Sequence, residues 1–268
     1  MRIPFAQIDA FADQPFAGNP AAVMPLSTWL DDAVLQAIAA ENNLSETAFL
    51  VPDDSGEADF ELRWFTPAAE VALCGHATLA SGHFVLSSGE ARTGITFRTR
   101  QAGMLGVSRE GTGYLLALPA WAPSPRDLGN VAAALGVADP VETLWHDKAY
   151  ALIVARDADA IRALDPSPAA LATLEPMVAV VTAPGDAESR SDIVSRVFTP
   201  GYGIHEDPVT GSAHAVAVPY WAKRLGRTRL TALQASARGG RLTCELQGDR
   251  VVLGGDCVTV IEGTFLLP

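Results

Sequence analysis

The sequence predicts an α+β protein made of two pseudo-symmetric halves, and three observations carry that prediction. Short β-rich runs alternate with only a few amphipathic helical stretches. Arg63-Trp64-Phe65-Thr66-Pro67 recurs as Arg196-Val197-Phe198-Thr199-Pro200, 133 residues later and close to half the chain. Each copy then leads into a turn and an Ala-rich helix. The first reads Cys74-Gly75-His76-Ala77-Thr78-Leu79-Ala80 and the second Thr210-Gly211-Ser212-Ala213-His214-Ala215-Val216. Gly75 and Gly211 lie 136 residues apart, so the second loop is three residues longer. A chance five-residue recurrence does not bring the same strand, loop, glycine and helix with it.

The elements follow in order. Ile3 to Asp9 alternates as a strand, and Ala21 to Met24 reads as its partner after the Gly18-Asn19-Pro20 turn. Thr28 to Ala40 predicts a helix capped by Ser27 or Thr28, with Leu30, Val34, Leu35 and Ile38 as its apolar stripe. Strands are expected at Thr47 to Val51, Phe60 to Phe65, Ile95 to Thr99, Met104 to Val107 and Tyr114 to Leu118. Trp121-Ala122-Pro123-Ser124-Pro125 reads as a linker, because its prolines resist helix and central strand alike. The halves are therefore expected at residues 1–120 and 126–268, with the last strand free to cross back to the first half. Beyond the linker a helix is expected near Asn130 to Leu135, then a strand at Tyr150 to Ala155. Two short helices follow, then strands at Met177 to Val181 and Asp192 to Phe198. The last forty residues read as strands broken at Gly239-Gly240, Gly248 and Gly254-Gly255.

Composition narrows the function classes. With 49% hydrophobic and 19% charged residues, the 268-residue chain has a globular profile, neither disordered nor fibrous. A net charge of −12 argues against binding nucleic acid through summed positive charge. No apolar run is long enough to span a bilayer, and Asp9 and Asp13 interrupt any N-terminal signal core. Cys74, Cys244 and Cys257 are few and unclustered, as expected of reduced thiols in a cytoplasmic protein. An anionic substrate would be repelled by the overall field, so local donors must bind it.

The paired turns supply such donors. A helix start exposes backbone N–H groups without intrahelical partners, and the helix dipole adds positive potential there. Gly75 and Gly211 can each open such a site, or merely permit tight packing. Asp207, before Pro208, can cap the helix, turn the loop or orient a substrate amine. His205 and Glu206 read as solvated loop groups. Glu46 stands where a helix ends and an apolar strand begins, in Asn43-Leu44-Ser45-Glu46-Thr47-Ala48-Phe49. It is either an exposed strand-start carboxylate or a tucked-in general base.

The chain resembles the PhzF family, the phenazine-biosynthesis-like proteins of the diaminopimelate-epimerase-like superfamily. Ile8-Asp9-Ala10-Phe11, Phe16-Ala17-Gly18-Asn19-Pro20-Ala21-Ala22-Val23 and the Glu46 segment carry the resemblance. So do Arg63 to Pro67, Cys74 to Thr78, and Glu206 to His214, in family order. The resemblance implies two halves, each a curved, mostly antiparallel sheet around a central helix, with the active site in a cleft between them. It further implies a homodimer with no metal or organic cofactor. The implied activity is a proton-shift isomerisation of a small, carboxylated, cyclic substrate such as trans-2,3-dihydro-3-hydroxyanthranilate. Matched to the motifs, Glu46 would carry the proton, and His76, Asp207 and Ser212 would contact substrate or shuttle protons. Gly75, Gly211 and Asn19 would complete the substrate contacts.

Two other functions stay in view. Superfamily racemases and epimerases acting on amino or hydroxy acids use two opposed thiols, but Cys74 is matched by Thr210, whose neutral hydroxyl is a poor base. A non-catalytic ligand-binding or interaction protein on this fold is the other. A Cys–His hydrolase is disfavoured because Cys74 and His76, two apart at a helix start, are not expected to face each other. His76, His83, His205 and His214 lack metal-ligand spacing, and Gly201-Tyr202-Gly203 lacks the third glycine of a dinucleotide fingerprint.

Overall fold

The computed structural model describes residues 1–89, 92–200 and 204–267. The Gly201-Tyr202-Gly203 segment lies outside the described residues. The chain forms two compact units, Met1–Ala117 with Gly254–Pro268, and Leu118–Leu253.

The first unit begins with β1 (Arg2–Ala10), β2 (Asn19–Pro25), α1 (Asp32–Asn42), β3 (Glu46–Pro52) and β4 (Phe60–Phe65). It continues with β5 (Glu70–Val71), α2 (Gly75–Ser87), β6 (Gly94–Thr99), β7 (Met104–Glu110) and β8 (Gly113–Pro119). Neighbouring strands pair antiparallel except at two places, where β2 runs parallel to β3 and β4 parallel to β6. Parallel neighbours cannot be joined by a hairpin. That is why α1 stands between β2 and β3, and α2 between β4 and β6.

The second unit repeats this order. Its elements are β9 (Ser124–Pro125), α3 (Gly129–Ala134), β10 (Glu142–His146), β11 (Tyr150–Val154), α4 (Ala158–Arg162), α5 (Pro168–Leu171) and β12 (Val178–Pro184). Then come β13 (Ile193–Thr199), β14 (Ile204–Asp207), α6 (Gly211–Leu225), β15 (Arg229–Gln234), β16 (Gly240–Gln247) and β17 (Arg250–Gly255). Among the described residues, parallel pairs recur here as β11 with β12 and β13 with β15. The helices α4 and α5 make the first crossover and α6 the second. A last strand, β18 (Cys257–Leu266), pairs antiparallel with β1 from Arg2 opposite Leu266 to Ala10 opposite Cys257.

In each unit the sheet curves around one helix. The helix α2 packs on β1, β2, β3, β6, β7 and β18, and α6 on β11, β12, β15 and β16. Both helices are Ala-rich and buried on nearly every face, which a single apolar stripe could not support. The first unit carries a core of Ile3, Met24, Leu35, Ile38, Phe49 and Phe65. In the second, Val131, Leu135, Ile153, Ile161, Val181 and Phe198 form a core.

Several expectations need correction. The first helix starts at Asp32, not Thr28, and its N-cap is Asp31, whose carbonyl accepts from Val34 and Leu35. Trp29 is drawn away from the helix because its Nε1 donates to Glu61 at 2.9 Å. Ser124-Pro125 is no free linker: it pairs with Leu144 and Trp145 as a short edge strand, where proline is tolerated. The strands β5, β10 and β14 are too short or too rich in polar residues for alternation to mark them.

Candidate active site

The repeated Arg-x-Phe-Thr-Pro string has a mechanical cause. Arg63 on β4 forms a two-pronged bond with Glu70 on β5, Nε to Oε1 and Nη2 to Oε2, each at 2.8 Å. Arg196 on β13 does the same to Glu206 on β14, at 2.7 and 2.8 Å. The residue two further on shares the arginine's face of the strand, so the guanidiniums stack on Phe65 at 5.0 Å and Phe198 at 5.2 Å. Each clamp fixes the strand that feeds a helix start. Glu206 is therefore not a solvated loop group. Its separation of 136 residues from Glu70, the same as between Gly75 and Gly211, was the available sign.

In the first unit, the turn before β2 uses Gly18 at φ +64°, where a Cβ would lie 2.2 Å from the Ala10 carbonyl oxygen. Asp9 holds this loop by accepting from the Phe16 backbone N–H at 2.9 Å. The turn delivers Asn19, fully buried, whose Nδ2 lies 3.1 Å from Nδ1 of His76 on the first turn of α2. Glu46, first residue of β3 and opposite Ala21 of β2, brings Oε2 to 3.0 Å from His76 Nε2. Its side chain is only 13% exposed, so it is not the solvated strand-start carboxylate. No aligned hydrogen bond reaches that oxygen among the described residues, and His76 Nε2 becomes its charge partner when the imidazole is protonated.

Cys74 and His76 do face each other, contrary to the helix-spacing argument. Cys74 is the N-cap of α2 with extended backbone, φ −138° and ψ 108°, so helical geometry does not govern it. Its Sγ lies 3.5 Å from His76 Nδ1 and 3.9 Å from Nε2. Burial and the Glu46 charge push the thiol up to about 11, so near neutral pH the sulfur keeps its proton and is a poor nucleophile. Burial alone would lower His76. The Cys74 and Glu46 contacts outweigh it, and the imidazole stands well above its ordinary value. Glu46, Cys74 and His76 each present one donor atom, all within 4.8 Å of one another, and among the described residues they form the set that could hold a metal. Linear spacing hid this set because Glu46 comes from a different element.

The second unit builds a different group on the same frame. Asp207 ends β14, 8% exposed, and does not cap α6. The N-cap is Thr210, whose hydroxyl donates to Asp207 Oδ2. Buried Gln234 on β15 gives Nε2 to the Asp207 carbonyl at 2.7 Å and takes the Thr210 backbone N–H on Oε1 at 2.8 Å. Ser212 and Gly211 lie buried in the first turn of α6. One turn on, His214 Nδ1 donates to the Thr210 carbonyl at 2.9 Å. Burial keeps His214 neutral by lowering its pKa, and its Nε2 has no hydrogen-bond partner among the described residues. Neither Cys74 nor Thr210 makes a side-chain cap bond to its own helix. Sequence reasoning missed Gln234, which no motif marks.

The structure thus gathers Asn19, Glu46, Gly75 and His76 in the first unit, and Asp207, Gly211 and Ser212 in the second. All three cysteines are free thiols, and no helix among the described residues is long and apolar enough to cross a membrane.

Comparison with known proteins fits this geometry. The family model for phenazine biosynthesis-like proteins matches residues 8–263. An uncharacterized isomerase of Pseudomonas aeruginosa is 49% identical over 269 residues, covering all of both chains. The crystal structure of a PhzF-family phenazine biosynthesis protein from Enterococcus faecalis superposes with a TM-score of 0.89 at 43% identity, again across both full chains. A hydroxyproline epimerase from Agrobacterium vitis shares the fold at 11% identity and a TM-score of 0.65, over 98% of this chain and 92% of its own. The chain belongs to the phenazine biosynthesis-like, or PhzF, family.

Proposed function

We propose that this protein is a cofactor-independent isomerase that shifts a proton on a small carboxylated, cyclic substrate of the trans-2,3-dihydro-3-hydroxyanthranilate type. The observation that carries the reading is the Glu46–His76 pair, a shielded carboxylate 3.0 Å from a buried imidazole. A shielded carboxylate beside an imidazole can take a proton from carbon and return it elsewhere on a conjugated system. His76 balances its charge and can give or take a proton in turn. Asn19 holds the imidazole from the other side, where its Nδ2, 3.1 Å from Nδ1, can donate to that nitrogen when it carries no proton. Each helix start, Gly75 in the first unit and Gly211 in the second, suits a carboxylate, and Asp207 and Ser212 suit amine and hydroxyl groups. The protein works as a homodimer in the cytoplasm on this reading.

The neutral Cys74 thiol and its threonine counterpart favour this reading over a two-thiol racemase. Incubation in deuterated water with trans-2,3-dihydro-3-hydroxyanthranilate and a panel of chiral amino and hydroxy acids separates the two by NMR. The isomerase incorporates deuterium into the cyclic diene and requires Glu46. Incorporation at an α-carbon that requires Cys74 would establish the epimerase instead. Ligand binding without any exchange would identify a binding protein.

A further inference from the structure

The second unit contains a directional chain of hydrogen bonds that ends on Asp207. Gln234 is fully buried and uses both ends of its amide: Oε1 accepts from the Thr210 backbone N–H at 2.8 Å, and Nε2 donates to the Asp207 carbonyl at 2.7 Å. That double engagement fixes which end of the amide is which. The same Nε2 lies 3.2 Å from Thr210 Oγ1 and donates to it. With one donor aimed at its lone pair, the Thr210 hydroxyl turns its own proton to Asp207 Oδ2. Ser236 closes the loop from outside by donating to the Pro208 carbonyl at 2.8 Å.

Thr210 is the N-cap of α6, yet it makes no capping bond, and a threonine there usually does. Its hydroxyl is spent sideways on the carboxylate. The matched N-cap of the first unit behaves alike, since Cys74 leaves its helix uncapped and places Sγ 3.5 Å from His76. In both units the N-cap side chain touches the titratable residue of its own turn.

We propose that Thr210, set by Gln234, is a positioning residue that fixes the carboxylate of Asp207 for substrate contact. This rests on the isomerase reading, in which Asp207 meets the substrate. Thr210→Val keeps the shape and removes the hydroxyl, whereas Thr210→Ser keeps the hydroxyl and removes the methyl. A misplaced contact group costs up to roughly 100-fold in rate. The expected result is that T210V loses about 10- to 100-fold in kcat for deuterium exchange, with KM changed less than about threefold. T210S recovers most of that loss, and both variants melt cooperatively. A T210V enzyme as fast as wild type, or a T210S enzyme as slow as T210V, would overturn the proposal. The carboxyl ¹³C resonance of Asp207, assigned by its disappearance in Asp207→Asn, reads the contact without turnover. It moves in T210V and returns in T210S. An Asp207 resonance indifferent to T210V overturns the positioning role, whereas wild-type protein inert toward the diene while the resonance responds overturns only the isomerase reading.

Discussion

Replacing Glu206 with alanine removes both charge-assisted bonds to Arg196 and leaves a guanidinium that is only 14% exposed facing no carboxylate. Arg196 keeps Nη1 on the Leu164 carbonyl and its stack on Phe198, so the loss is partial. Breaking a buried pair from one side costs about 3–5 kcal/mol, and the residual exposure and surviving contacts place this change near the lower end, about 3 kcal/mol. The matched substitution Glu70→Ala strands Arg63, 2% exposed, but Asp32 remains 2.9 Å from its Nη2. Its cost should be similar, about 2–3 kcal/mol. Glu188→Ala is the control: that carboxylate is 75% exposed and 3.2 Å from Arg162, a surface pair worth less than about 1 kcal/mol. Urea unfolding followed by circular dichroism measures all three, and the midpoints of the two clamp variants should fall by about 1 M. If E206A and E70A unfold within about 0.5 kcal/mol of E188A, the clamps do not hold the helix-start strands, and the account of the repeated string is wrong.

Gly18→Ala forces a Cβ to 2.2 Å from a backbone oxygen at φ +64°, so it should destabilise by more than about 2 kcal/mol in the same assay. Cys74, held to about 11 by burial and by Glu46, should resist iodoacetamide at pH 7 and label faster as pH rises, read by mass spectrometry of the Cys74 peptide. Arg98 and the Ser55 hydroxyl hold the Asp53 carboxyl well below its ordinary range. A depressed folded pKa contributes stability that is full above about pH 5 and is lost as pH falls toward the folded value. Thermal melts from pH 6 to 2.5 should therefore show a shallower acid loss in Asp53→Asn than in wild type.

Much of the fold is legible because the two halves repeat one plan. The strand at Ile193–Thr199 and the helix starts at Gly75 and Gly211 follow from pattern and glycine placement alone. What stayed hidden depends on tertiary partners. Glu206 looks like a loop acid until Arg196 is seen across the sheet, and Gln234 sits in a strand with no motif around it. Cys74 and His76 meet because the N-cap backbone is extended, which spacing rules for helices cannot anticipate. The start of α1 lies four residues beyond the pattern's reach, with Trp29 outside the helix and bonded to Glu61. Glu46 was found by its motif, but only burial decides between a solvated acid and a shielded one.

The central claim is that Glu46 moves the proton, and Glu46→Gln tests it with the least structural change. The amide keeps the size of the side chain and removes the base 3.0 Å from His76. Deuterium exchange into trans-2,3-dihydro-3-hydroxyanthranilate, followed by NMR alongside wild type and Cys74→Ser, is the measurement. General acid/base groups contribute about 10²- to 10⁴-fold, so E46Q should fall by at least about 100-fold while C74S stays within severalfold of wild type. Exchange that survives in E46Q and disappears in C74S would contradict the account and make the thiol the proton carrier.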